Sequence, residues 1–591
     1  MIKKIVHNYV SHASVYKQAL KQRCTPLQAT IVANRCAQPE QLEQFIHSTL
    51  SVVEPPSHLC DSHFASLRLV EAIKQDQHIG ILTDYDVDGI TSHAIMLFAL
   101  RDFFYVKAEN ISSFIGHRLN DGYGVSQGLI DKILAQQPLP DIIITADCGS
   151  SDEKQIKQLK EAGIDVIVTD HHAIPESGIP VSAYATINPT RKDCNYQDKT
   201  IAGCMVSWLL MSQLRADLIV AGIISSSSAK LSTLLDFVSL GTIADAVSLS
   251  SYSNRAVVRA GLKIMNRLQR PCWREMLKLI GKDFFTIEDL GFQMGPRINA
   301  RSRMSDPFQA LFFVTAERDQ QAQQTLATLD EDNKLRKATE KEMLFKAKTL
   351  ARQHIKQYHY SMVVFDPDFH AGVQGIVASR LVDQYGRPTV VFSVSANPDI
   401  ITASARTVSA VHIRDILQQI SSLKPELLIS FGGHKGAAGL KIKKTQLDEF
   451  KTLFEQQIQQ QMHSDKKERE QALQPILLID GALTAQQLCY QSVVQLEQLQ
   501  PYGREFEKPS FKNQFIVQFI RHLGKDGEHL SLLLVHENQV IRSIWFNALE
   551  KDEFPEFVEG DTVEVVYQLM KDDYRGEGNF QLNIRYIELV S

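Results

Sequence analysis

Three features of the sequence predict an α/β protein built on a parallel sheet, followed by a second, smaller α/β domain and a C-terminal β-barrel. Residues 76–250 alternate short apolar runs with amphipathic helical stretches, the pattern of βαβ units. Residues 308–358 contain neither Gly nor Pro and read as helix throughout, a long connector whose later part carries charges three or four residues apart. Beyond residue 475 come short alternating runs such as HLSLLLV, VIRSIWFN and DTVEVVYQLM, spaced as the strands of a small barrel.

In chain order this gives a Gln-rich N-terminal helical extension (1–50), a parallel-sheet domain (51–250), a helical connector (251–358), a smaller α/β domain (359–460) and a terminal domain (470–591). The smaller α/β domain runs from MVVFDPDFHAG to the Gly-rich SFGGHKGAAGLKI, and the polar stretch QQQMHSDKKEREQ after it reads as a linker or solvated helix. The barrel pattern suits the oligonucleotide-binding type.

Composition narrows the class. At 591 residues the chain exceeds a single hydrophobic core, and 44% hydrophobic with 22% charged residues suits a globular enzyme. Lys+Arg 63 against Asp+Glu 68 leaves a net charge of −5, so a polyanionic partner must be met by a local groove. The apolar stretches are strand-sized, short of the ~20 residues that span a bilayer, and the start MIKKIVHNYVSHASVYKQ reads as no signal peptide. The 8 cysteines form no CxxC pair, which points to reduced thiols. The expectation is a cytoplasmic protein with no membrane partner.

The aspartates carry the chemistry. Three apolar runs end in acidic residues, GILTDYDVDG, DIIITADCGSSD and DVIVTDHH. In an open α/β sheet, residues beyond the carboxyl ends of the strands meet at one edge. Asp84, Asp86, Asp88, Asp147, Asp170, His171 and His172 therefore converge, with Asp245 of GTIAD as a further acid where an apolar run breaks. Taken singly, an Asp after a strand is an ordinary helix N-cap. Together, clustered carboxylates repel unless a cation neutralises them, and oxygen donors with imidazoles suit Mn²⁺ or Mg²⁺. A pair of ions is expected, and no Ser-His-Asp or Cys-His arrangement stands beside them.

DYDVDG, ADCG, TDHH and GTIAD, in this order, resemble the four motifs of the DHH phosphoesterase family. GPRINARSR, HAGVQGIVASRL, SARTVS and FGGHKGAAGL resemble its RecJ branch and the companion DHH-associated domain, DHHA1. The terminal segment resembles the RecJ oligonucleotide-binding (OB) domain, although its PYGREFEKP lacks the usual Gly-Asn. The resemblance implies a DHH domain and a DHHA1 domain joined by a long helix, with an OB-type barrel. It implies a metal-dependent exonuclease that degrades single-stranded DNA from the 5′ end to mononucleotides in recombination and repair. Asp84, Asp86, Asp147, His171 and Asp245 are then metal ligands, Asp88 and His172 are ligands or their supports, and Asp170 orients the neighbouring histidine. Single-stranded DNA, a single-strand-binding protein and a RecQ-type helicase are the implied partners.

Substrate contacts are expected from other segments. In FIGHRLNDGYG, Arg118 and Tyr123 offer a cation and a stacking ring. GPRINARSRM reads as a cationic loop, with Arg297, Asn299, Arg301 and Arg303. Gly432, Gly433 and His434 of the Gly-rich run, with Ser404 and Arg406, resemble the DHHA1 phosphate pocket. GVQGIVASRL reads as chiefly structural. One alternative is a DHH phosphodiesterase of short oligonucleotides or cyclic dinucleotides, which needs no terminal barrel; a second is a non-catalytic scaffold, which would have lost motif acids.

Overall fold

The computed structural model describes residues 4–36, 38–118, 122–357, 359–462, 465–525, 527–549, 555–572 and 574–590. Residues 1–3 of the N-terminal extension, 119–121 of the segment 114–124, residue 358 at the connector's end and 463–464 of the polar stretch lie outside the described residues. The chain forms two compact units. One comprises Glu54–Val247 with Val257–Pro475; the other comprises Lys4–Val53, Ser248–Ala256 and Ile476–Ser591.

The first unit opens on a five-stranded parallel sheet in the order Ile111–Ile115, Ile79–Thr83, Ile142–Ala146, Asp165–Thr169, Ala185–Ile187. Ile79–Thr83 and Ile142–Ala146 are buried throughout, so they read as continuous apolar runs rather than alternating ones. Register then places the chemistry. Thr83 pairs with Ala146 and Ala146 with Thr169, so Asp84, Asp147 and Asp170 leave the sheet side by side. The helix Gly203–Val220 is long and apolar enough by composition to cross a membrane, a stretch longer than the strand-sized runs the sequence suggests. It packs against the helices Val87–Phe98 and Ser62–Lys74, and most of its residues are buried.

Two helical expectations change. The run read as one helix breaks after Phe308–Val314, where the Thr315 hydroxyl donates to the Leu311 carbonyl at 2.7 Å, and resumes as the 38-residue helix Asp319–Lys356. GPRINARSRM, expected as a loop, is the helix Gly295–Met304, with Pro296 in its first turn where a missing N–H costs nothing.

The second sheet of this unit runs Ser430–Gly433, Ala437–Lys443, Ile400–Arg406, Thr389–Val394, Met362–Phe365; only the last pair is parallel. Its core gathers Phe392, Ile416, Phe450 and Phe454 between sheet and helices. The Gly-rich run forms a tight hairpin between Ser430–Gly433 and Ala437–Lys443. Gly433 has φ +142°, and a Cβ there would lie 2.3 Å from the Ala437 carbonyl oxygen.

The second unit holds a closed barrel in the order Phe511–Leu523, His529–His536, Gln539–Trp545, Phe580–Leu589, Thr562–Lys571. The N-terminal extension, read as helical, begins with the strand Ile5–Asn8, which pairs in parallel with Ile476–Ile479. Arg35 forks onto Asp480, and the fully buried Arg255 donates to the carbonyls of Phe45, Leu499 and Pro501 while its guanidinium lies 4.3 and 4.4 Å from the rings of Phe45 and Phe506. These bonds tie residues distant in sequence into one body.

Candidate metal centre

Each acid is delivered by an element end. Asp84 follows the strand Ile79–Thr83, and Asp86 caps the helix Val87–Phe98 by accepting the N–H groups of Asp88 and Gly89 at 2.9 and 3.1 Å. Asp147 sits at φ +59°, a left-handed conformation that Asp tolerates better than most residues. Asp245 follows the helix Leu235–Ala244. The ligand atoms form three sets, each within 4.8 Å: Asp147–His171–His172, Asp88–His171–Asp245 and Asp84–Asp86–Asp147. Asp147 and His171 each belong to two of these sets, an arrangement that suits adjacent cations sharing ligands.

The electrostatics fit that reading. Burial, reinforced by Asp86 and relieved in part by Arg118, pushes the Asp84 carboxyl well above the usual range. Burial, then Asp88, Asp86 and Asp84, does the same to Asp147. His171 Nε2 lies 3.2 Å from Asp147 Oδ1, 3.6 Å from Asp245 Oδ2 and 3.7 Å from Asp88 Oδ2. Yet His171 Nε2 and Asp147 Oδ1 are buried without a hydrogen bond. Unpaired buried atoms among repelling carboxylates are the signature of a site built for a hard divalent cation.

Asp170 is already saturated. Its Oδ1 accepts from the backbone N–H groups of His171 and His172 and lies 2.8 Å from His172 Nδ1, and its Oδ2 accepts from Ser150 N. Burial opposes ionisation, but these bonds and the His172 charge hold Asp170 well below the ordinary range. The reciprocal effect raises His172 to about 9 against the pull of burial. The ring that Asp170 fixes is therefore that of His172, while His171 meets Asp170 through its backbone N–H. Cys148, beside Asp147, is buried, and burial pushes its thiol up, as expected of a packed thiol rather than a nucleophile.

The substrate candidates divide. Tyr123 donates its hydroxyl to the Asp147 carbonyl at 3.1 Å and lies 2.9 Å from His172 Nδ1. Arg118 stacks 4.2 Å over the Tyr85 ring, with Nε 3.5 Å from Ser302 Oγ. Arg303 is lowered to about 9 by burial and by the like charges of Arg118, Arg336 and Arg406. Arg303 and Arg406 line a cavity of about 290 Å³ with Gly375, Ile376, Ser379, Arg380 and Asp383. Gly375 lets Arg406 approach closely, since a Cβ there would lie 2.8 Å from Arg406 Nη2. The segment GVQGIVASRL thus borders this cavity as well as packing on the sheet. Register sets Ser404 beside Gly439, which faces Gly432, and Arg406 beside Ala437. Gly433 and His434 continue into the exposed hairpin turn.

Arg297 and Arg301 go elsewhere: each pairs with the connector helix, through Asp330 at 2.9 Å and Asp332 at 2.8 Å. Asn299 Oδ1 accepts the N–H of Val87, so it supports the helix that carries Asp88.

Sequence reading missed the backbone of Gly203 and Cys204, whose N–H groups donate to Asp88 Oδ2 and Oδ1 at 2.7 and 2.9 Å. A Cβ on Gly203 would stand 2.9 Å from the Asp147 Cβ, and one on Gly241 2.8 Å from Asp88 Oδ1. Asn188 holds the His172 carbonyl and the Ser150 hydroxyl. The available signal was glycine at the start of an apolar helix, a place where backbone N–H groups meet an anion.

A parallel sheet with this acid-histidine cluster at its carboxyl edge defines a phosphoesterase of the DHH class. The DHH family N-terminal domain matches residues 78–242, the DHHA1 domain residues 356–460 and the RecJ OB domain residues 479–586. The single-stranded-DNA-specific exonuclease RecJ of Haemophilus influenzae is 32% identical over 553 residues, 92% of this chain and 93% of that one. The structure of RecJ with Mn²⁺ from Thermus thermophilus superposes with a TM-score of 0.78 at 23% identity, covering 99% of this chain and 79% of that one. A structure of exonuclease RecJ bound to manganese gives 0.56 at 28% identity, covering 67% and 94%. The chain belongs to the RecJ family of exonucleases.

Proposed function

We propose that the chain is a divalent-metal-dependent exonuclease that degrades single-stranded DNA from the 5′ end to mononucleotides. The observation that carries this reading is the pair of shared ligands, Asp147 and His171, each belonging to two donor sets. Asp84, Asp86, Asp147, His171 and Asp245 would hold two ions of the Mn²⁺ or Mg²⁺ class. When bound, such ions polarise the scissile phosphodiester and acidify the attacking water. The protein's own residues do the rest. Asp88 spends its oxygens on the Gly203–Val220 helix terminus and faces His171. His172, fixed by Asp170 and Tyr123 and partly exposed, is placed to meet the phosphate being cleaved.

Direction of cleavage comes from the arginine cavity. Burial first, and then the nearby charge of Arg118, depresses both Arg303 and Arg406, an arrangement that an anion relieves. A terminal 5′-phosphate held there, with Ser404 and the adjoining hairpin of Gly432, Gly433 and His434, sets the register of the first bond over the metals. The terminal barrel supports this reading over hydrolysis of cyclic dinucleotides, since a short substrate needs no strand-binding module. Recombination and repair in the cytoplasm, beside a single-strand-binding protein and a RecQ-type helicase, is the matching setting. The test uses 5′- and 3′-labelled single strands with Mn²⁺, Mg²⁺ or chelator. Label released first from the 5′ end, only with metal, is expected; release from the 3′ end first overturns the polarity.

A further inference from the structure

A second cavity, of about 200 Å³, adjoins the arginine cavity and shares Arg303 and Ile376 with it. Its lining divides chemically. Asn299, Arg303 and Arg336 are polar, whereas Ala244, Gly291, Gly295, Pro296 and Ile376 are small or apolar. Ala244 precedes Asp245, so this cavity lies next to the metal centre. Gly291, Gly295, Asn299 and Arg303 recur every fourth residue along the helical run, which turns one face to the cavity.

Phe292 stands on the flank of that face. It lies four residues before Pro296, itself in the lining, and is 77% exposed, while Leu290 and Met294 on either side are buried. The segment Leu290–Met294 is wound as a π-helix, a local widening frequent at functional sites. A large ring left in water one helical turn before Pro296 of a lining that is cationic on one part and apolar on another fits one ligand chemistry, an aromatic base attached to a phosphate.

We propose that Phe292 and the apolar lining form a nucleobase site: one base of the strand stacks on the Phe292 ring while its phosphate faces Arg303. This rests on the exonuclease reading and adds to it the way the base is held. The site accepts any base. The lining residues nearest the ring, Gly291, Gly295 and Pro296, carry no side-chain donor or acceptor, and Arg336 is held by Glu340 and Asn333.

The test uses the full chain with Phe292→Ala and Phe292→Trp, on 5′-phosphorylated strands with ordinary or abasic terminal nucleotides. Phe292→Ala should raise KM about 5- to 100-fold on ordinary strands, the range of one lost stacking contact, and less than twofold on abasic ones. Phe292→Trp should keep the wild-type KM, and the emission it adds should be quenched by the ordinary strand alone. An equal rise in KM on both strands, or no rise, overturns the proposal. Trp quenching needs no hydrolysis, so a wild-type protein inactive on single strands would refute the exonuclease reading while the quenching still decides the base site.

Discussion

His171 Nε2 lies 3.2 Å from Asp147 Oδ1, and both atoms are buried without a hydrogen bond. The sheet register forces this meeting. Asp147 continues the strand Ile142–Ala146, and His171 follows Asp170 one strand over, in the row where Ala146 pairs with Thr169. A protein that buries its polar atoms paired wherever it can has left these two facing each other among carboxylates. A cation shared between them, as proposed for the metal pair, would account for the cost.

Asp88 is expected to matter to the fold as much as to the chemistry. Both its oxygens accept backbone N–H groups at a helix terminus. Asp88→Ala should lower stability by about 2–4 kcal/mol, the loss of two charge-assisted bonds at a buried site. Asp86→Ala, which removes an N-cap, should cost about 1 kcal/mol. Urea unfolding in chelator measures both; equal costs would contradict the assignment.

Metal-free stability should fall as pH rises. Asp84 and Asp147 have folded pKa values well above the ordinary carboxylate value. Such groups favour folding when protonated, below about pH 4, and that contribution is lost as pH climbs through their raised folded values. Added Mn²⁺ replaces the protons, so its increment in Tm should grow from pH 5 to pH 8. Asp170, whose depressed pKa has the opposite sign, cancels when Tm is compared with and without Mn²⁺ at each pH. A pH-independent increment would contradict the account.

Arg406→Ala should lower kcat/KM on 5′-phosphorylated strands about tenfold to a hundredfold, the loss of one charge-assisted phosphate contact. The preference for 5′-phosphate over 5′-hydroxyl ends should shrink with it, and Mn²⁺ affinity should not move. Single-turnover rates on both ends check this. An unaltered preference would hand end recognition to Arg118 and Tyr123.

The barrel is best tested without deleting it, because Ile5–Asn8 pairs with Ile476–Ile479 and Arg255 is held by carbonyls of residues 499 and 501. Arg521 and Arg542 are exposed on the barrel strands Phe511–Leu523 and Gln539–Trp545. Replacing both with Glu should weaken binding to long single strands and flatten the salt slope by about 1.4, some 0.7 per lost phosphate contact. An unchanged slope would mean that the strand does not cross these residues.

Much of this was written locally and could be read. Asp84, Asp147 and Asp170 each close an apolar strand, and a parallel sheet brings strand ends together whatever the loops between them do. What could not be read depends on partners far away in sequence. Asp88 meets the N–H of Gly203, 115 residues on, and Arg297 meets Asp330 across the connector. The strand Ile5–Asn8 has too short an apolar run to announce itself, and its partner lies at Ile476. The break at Thr315 was hidden because a hydroxyl bonded back into the helix leaves no Gly or Pro to mark the stop. Phe292 gave no signal because one Phe in an apolar run looks like core until its exposure is known.

The most direct test counts bound manganese. Titration of the metal-free protein with Mn²⁺, followed by electron paramagnetic resonance, should give two ions per chain in the wild type. Asp147→Asn keeps a residue that tolerates the left-handed backbone at this position. It should lose at least one ion and more than nine-tenths of exonuclease activity, as should His171→Ala; a tenth of the rate is about 1.4 kcal/mol in barrier. A single ion in the wild type, or two ions with substantial activity in Asp147→Asn, would contradict a metal pair built on the shared Asp147 and His171.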